Sequence, residues 1–137
     1  MLYSKAALSG SGGRKKVDMQ RIVLVAAGLI GAMGVAAAAA ASHMAESRNL
    51  AAIAAVFLSH GPALLALGLQ TRWRSLTLAG CALAAGTILF AADLAMREWA
   101  GHGLFPGAAP LGGGAMILAW LGIALGGLRP DRSFKKD

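Results

Sequence analysis

From Ile22 to Ala41 the chain runs for 20 residues without a charged side chain. Three similar stretches follow: Leu50–Leu69, Leu76–Met96 with Asp93 as its one interruption, and Leu111–Leu128. A helix rises about 1.5 Å per residue and the hydrocarbon core of a bilayer is about 30 Å thick, so each stretch has the length of one crossing. Backbone in lipid must satisfy its own hydrogen bonds, which leaves helices or a closed barrel. Barrel strands read as alternating segments of roughly ten residues, a pattern this sequence does not carry. The connections, about eight, six and fourteen residues long, make successive helices antiparallel neighbours. The expected fold is therefore all-α: an integral membrane four-helix up-down-up-down bundle over residues 22–128. A basic tail at 1–21, rich in Gly and Ser, is expected to be disordered, and a second basic tail covers 129–137.

Composition agrees: 57% of residues are hydrophobic and 14% charged, against roughly 25% charged in soluble domains. The net charge of +7 would ordinarily point to nucleic acid, but its Lys and Arg sit at the chain ends and in the gaps between apolar runs. That distribution fits a membrane protein touching anionic headgroups through its basic tails, and no nucleic acid is expected as partner. Eleven basic residues flank one side of the spans: Lys5, Arg14, Lys15, Lys16, Arg21, Arg72, Arg74, Arg129, Arg132, Lys135 and Lys136. Only Arg48 and Arg97 flank the other. Both termini are therefore expected in the cytoplasm of a bacterial inner-membrane, multi-pass protein, with Trp73 and Trp99 at opposite interfaces. The basic start and the small-residue run "VAAAAAAS" at Val35–Ser42 also fit a cleaved secretory signal. The apolar stretch is longer than the roughly 7 to 15 residues of a signal core, which argues for a retained helix.

Hydrophobicity inserts such helices but cannot pair them, because lipid tails are as apolar as leucine. Pairing needs small residues, and these recur four apart at Ala27/Gly31, Gly34/Ala38/Ser42 and Gly122/Gly126, with Gly80, Ala84 and Gly86 along the third run. Gly31, Gly86, Gly112, Gly113, Gly122 and Gly126 are thus candidate packing positions. The glycines after Pro110 are expected to let the last loop turn tightly and the fourth helix start flush against its neighbour, with Pro110 tolerated at the helix start as a further packing position. Trp120 is expected to anchor that helix, its indole N–H bonded to another span. Pro62, in the middle of the second run, predicts a kink.

Three polar residues in or beside the spans call for an explanation: His43, His60 and Asp93. His60, near mid-depth, suits a proton-handling group or a metal ligand; its plainer role is a neutral imidazole bonded to a neighbouring helix or to a carbonyl freed by Pro62. His43 and Asp93 end their runs on the same side, where they could meet, with His102 joining from the last loop. No HExxH or CxxC motif and no His-rich tract supports a metal, the single cysteine, Cys81, reads as a small buried hydrophobe, and no cofactor is expected. "PLGGGAM" at Pro110–Met116 looks like a phosphate loop but has no lysine. With no paired carboxylates and no nucleophile elbow either, the chain is not expected to be an enzyme.

Several segments are familiar together: "HGPALLALGL" from His60, "GTILFAADLA" from Gly86, "LFPGAAPLGGGAMILAW" from Leu104, and the basic tail. Over roughly Gly28–Leu128 the chain resembles small bacterial inner-membrane proteins grouped as domain of unknown function 423, which have a small eukaryotic transmembrane relative. The resemblance places the family's pattern on His43, His60, Gly86, Leu89, Phe90, Asp93, Leu94, Pro110, Gly112, Gly113 and Trp120. The sequence departs from that pattern at "AAAASH", which keeps only His43, and at Ala95, where many members carry tyrosine. What the resemblance implies is a four-helix membrane protein and no particular reaction. With almost no mass outside the bilayer and many small-residue seams, the expected role is a structural or accessory subunit of a larger membrane complex, or its assembly partner. The alternative is an oligomeric small transporter or ion-handling protein using His43, His60 and Asp93, in which symmetry supplies the polar route.

Overall fold

The computed structural model describes residues 10–44, 47–70 and 73–128, which form four helices: α1 (Gly10–His43), α2 (Arg48–Leu69), α3 (Arg74–Ala100) and α4 (Ala108–Gly127). All four are long and apolar enough to cross a membrane, so the chain is a multi-pass, all-α membrane protein.

Local chemistry accounts for the helix ends. Ser47 caps α2, its hydroxyl accepting from the Leu50 N–H at 3.1 Å. The turn from α2 to α3 is held by Gln70, whose side-chain oxygen accepts from the Trp73 N–H at 3.0 Å and whose amide donates to the Trp73 carbonyl and Thr77 Oγ1. Gln20 of α1 donates to the Gln70 carbonyl at 2.6 Å and so ties the first helix to the same turn. Gly101 ends α3 at φ +75° and Gly107 precedes α4 at φ +91°, a backbone region that side chains with a Cβ rarely enter.

Two sequence expectations shift here. Of the tail expected to be disordered, residues 1–9 lie outside the described residues and 10–21 continue α1 as helix; from Arg14 on, Arg, Lys, Met and Gln are good helix formers and no proline interrupts them. The basic tail at 129–137 lies outside the described residues. Gly112–Gly114, expected to shape the incoming turn, lie inside α4, and the turn belongs to Gly101 and Gly107; Pro110 stands in the first turn of α4, at the helix start as expected. Pro110 costs no hydrogen bond in the first turn of a helix, so the helix can start ahead of it.

Contacts between helices fix the topology. Along α1–α2, Gly34 meets Phe57, Gly31 meets Gly61, and Leu24 meets Gly68, so the two run antiparallel. Leu67 against Gly80 at one end and Asn49 bonded to Glu98 at the other make α2 and α3 antiparallel. Gly86 against Gly112, with Leu76 against Gly126, does the same for α3 and α4. α2 and α3 form the central pair, with α1 packed on both and α4 packed on α3. Val23, Leu64 and Leu83 sit fully buried where α1, α2 and α3 converge.

Candidate functional site

Polar side chains gather at two levels of the bundle: one at mid-span and one at the end where α3 turns into α4. His60 is the thirteenth residue of α2 and Trp120 the thirteenth of α4. Because α2 and α4 are each antiparallel to α3, they run parallel to one another and bring these two residues to the same depth. Trp120 Nε1 donates to His60 Nε2 at 3.3 Å, and the rings meet edge to face with centroids 6.1 Å apart. On its other side, His60 Nδ1 lies 2.7 Å from the Val56 carbonyl and 2.9 Å from Ser59 Oγ. An indole N–H can only donate and a carbonyl can only accept, so the two partners select the neutral tautomer with its proton on Nδ1. The carbonyl His60 uses is that of Val56, not the Leu58 carbonyl that Pro62 leaves without its usual donor. Trp120 thereby has the interhelical partner expected for its indole.

At the end of α3, Asp93 is fully buried. Its Oδ2 accepts from Arg97 Nε at 2.8 Å and its Oδ1 from the Leu104 N–H at 2.7 Å. The carboxylate thus clips the connection 101–107 down onto the helix that carries it. Gly103 is required for that fit, since a Cβ there would stand 2.6 Å from Asp93 Oδ1 and 2.8 Å from the Arg97 guanidinium. A second tie at this end runs from Asn49 Nδ2 of α2 to Glu98 Oε2 of α3 at 2.9 Å.

His43, His60 and Asp93 are not brought together. His43 is exposed at the end of α1, and His102 is exposed and bonded to the carbonyl of Gly103. Among the described residues no three His, Cys, Asp or Glu side chains are placed to hold a metal ion. Both Asp93 oxygens are instead occupied by the chain's own donors.

The glycines divide. Gly86 and Gly112 form the α3–α4 crossing: a Cβ on Gly86 would stand 2.8 Å from the Gly112 carbonyl, and one on Gly112 2.7 Å from the Phe90 nitrogen. Gly126 packs under Leu76; Gly31 offers its backbone to Gly61, although a side chain on Gly31 itself would meet nothing within 4 Å. Gly113 and Gly122, singled out as packing positions by spacing, have nothing within 4 Å where a side chain would project. Their missing side chains point off the seam that Gly112 and Gly126 form.

Spacing passed over Gly61 and Gly68, which make the close approaches of α2 to α1. They lie seven apart and so share a face, a signal the sequence does contain. The Asp93–Arg97 pair was likewise available as an i, i+4 contact. The ties of Asn49 to Glu98 and Gln20 to Gln70 join residues 49 and 50 positions apart, and no local pattern announces them.

No curated protein and no solved structure matches the chain. Residues 22–113 match the family described as "Protein of unknown function (DUF423)". With most of its membrane-spanning region inside that match, the chain belongs to this family.

Proposed function

We propose that the chain is a structural or accessory subunit of a larger membrane complex, inserted in the bacterial inner membrane with both termini in the cytoplasm. The observation that carries this proposal is the occupation of Asp93: both oxygens of this fully buried acidic group are bonded within the chain, so the group serves architecture. His60 is treated alike, each ring nitrogen having an intrachain partner. The outward faces of α1 and α4, with Leu29, Met33, Leu118 and Leu125 more than half exposed, offer surface for other spans. On this basis the chain carries no reaction of its own.

Mild-detergent extraction at native expression tests the proposal. The chain is expected to sediment with a larger assembly, and recovery only as a free small species refutes it.

The second reading, an oligomeric ion- or proton-handling protein, is favoured by one fact: the half-buried imidazole of His60 lies near mid-depth, where a polar side chain is costly to keep. Proteoliposome flux that vanishes in His60→Ala, with the fold intact, would select it over the first.

A further inference from the structure

Among the described helices α4 packs its backbone against α3 alone, and the hydrogen bond from Trp120 to His60 ties it to α2. The Trp120 side chain is nearly half exposed, so its outer side is unclamped. Gly113 and Gly114 lie within α4 yet meet nothing within 4 Å where a side chain would stand, so packing does not account for them. Glycine weakens the helix that contains it, and adjacent small residues are a usual place for a helix to bend.

The start of α4 is the fixed end. Gly112 is closed against the backbone of Gly86 and Phe90, and Asp93 holds the preceding loop at Leu104. Trp120 lies seven residues beyond Gly113, about 10 Å along the helix, so a bend of about 20° there carries it about 3.5 Å sideways. That displacement breaks a 3.3 Å hydrogen bond. Met116 and Ala119, nearer the bend, move less and stay over α3, while Gly126 meets α3 only at the flexible end of Leu76, which follows. With the bond made, neither ring nitrogen of His60 is open: Nδ1 carries the proton shared with the Val56 carbonyl, and Nε2 accepts from Trp120. With the bond broken, the Nε2 lone pair is uncovered.

We propose that α4 is a hinged element that bends at Gly113 and Gly114, with Trp120 as its latch. Docked, Trp120 occupies Nε2 of His60; swung aside, it uncovers that nitrogen near mid-span to a hydrogen-bond donor from outside the bundle. The device needs neither the accessory role nor an ion-handling one, being a property of the bundle itself.

Diethyl pyrocarbonate, which transfers an ethoxycarbonyl group to an imidazole nitrogen that carries no proton, tests the latch on the full chain in phosphatidylcholine nanodiscs. His43 and His102, both exposed, serve as internal standards. Mass spectrometry is expected to find His60 modified at least ten-fold more slowly than the standards. Trp120→Phe, which keeps a ring but no N–H, is expected to speed His60 at least five-fold and leave the standards unchanged. The double variant Gly113→Ala, Gly114→Ala is expected to slow His60 at least two-fold below wild type. Spin labels at Leu69→Cys and Leu125→Cys, exposed positions on α2 and α4, read the swing in a Cys81→Ser background. Trp120→Phe is expected to add a more widely separated population, and the double alanine variant to narrow the distribution. Circular dichroism of each variant confirms that the helices remain. His60 as reactive in wild type as the standards, or unchanged by Trp120→Phe, overturns the latch. Rates and distances that are equal in wild type and the double alanine variant overturn the hinge.

Discussion

Trp120 of α4 donates its indole N–H to His60 of α2 across 3.3 Å, although the backbones of these two helices make no close packing contact. Among the described helices α4 packs its backbone closely against α3 alone, and this side-chain bridge links the fourth helix to the second. The bridge also fixes the state of the imidazole: Nε2 can accept from Trp120 only while it carries no proton.

If that bridge holds α4, its two ends are coupled in energy. A double-mutant cycle of His60→Leu and Trp120→Phe, read by unfolding in bicelles, is expected to give an interaction of about 0.6 kcal/mol and no more than ~1.7 kcal/mol, the range of side-chain hydrogen bonds between membrane helices. A cycle that sums to zero would mean that the two rings are neighbours without dependence.

The α3–α4 crossing makes a sharper contrast between adjacent glycines. Gly112→Ala puts a methyl group 2.7 Å from the Phe90 nitrogen and 2.8 Å from the Gly86 carbonyl, both backbone atoms that cannot step aside. It is expected to destabilise by about 1 to 3 kcal/mol, as overpacking does. Gly113→Ala meets nothing within 4 Å and is expected to be neutral, or to gain up to about 1 kcal/mol from helix propensity. Thermal unfolding of the two variants side by side checks both signs, and equal losses would refute the crossing.

Asp93→Ala removes the acceptor for Arg97 and for the Leu104 N–H together. Hydrogen bonds to a charged group contribute about 1.5 to 3 kcal/mol, so the loop clip is expected to weaken by about that amount. Hydrogen–deuterium exchange should report it as faster exchange at Leu104 and along the start of α4, with α1 unchanged. Protection that stays the same at Leu104 would show that the loop is held otherwise.

Gly101 and Gly103 are both needed in this loop, for different reasons. Gly101→Asn is expected to be tolerated and Gly101→Val to cost about 1 kcal/mol or more, because only the φ of +75° constrains that site, with open space around it. At Gly103 the restriction is spatial, so Gly103→Ala should disturb the Asp93–Arg97 pair and resemble Asp93→Ala in exchange. Stability and exchange measurements on the three variants separate strain from collision.

Reporter fusions at the two ends of the chain are expected to lie on one side of the membrane. A cysteine placed at His102 in a Cys81→Ser background is expected to be labelled from the other side. Labelling of position 102 from the side of the termini would contradict a crossing by each of the four helices.

Length and hydrophobicity alone determined the four helices of the described residues, roughly where each crosses, and that neighbours in sequence run antiparallel. These follow from matching apolar runs to the thickness of a bilayer, a property that each segment carries by itself. Local geometry also decided some of the seams: Gly61 and Gly68 share a face by their spacing, and Asp93 and Arg97 are one turn apart. Tertiary structure alone decided the rest. Whether a glycine packs depends on which face its helix turns to a neighbour, so Gly112 is closed against α3 while Gly113, one step of about 100° around the helix, is open. Whether a buried carboxylate is free for an ion or spent on a loop depends on where the chain returns eleven residues later. Sequence records the groups that must find partners in lipid, and only the folded arrangement of helices says which partners they find.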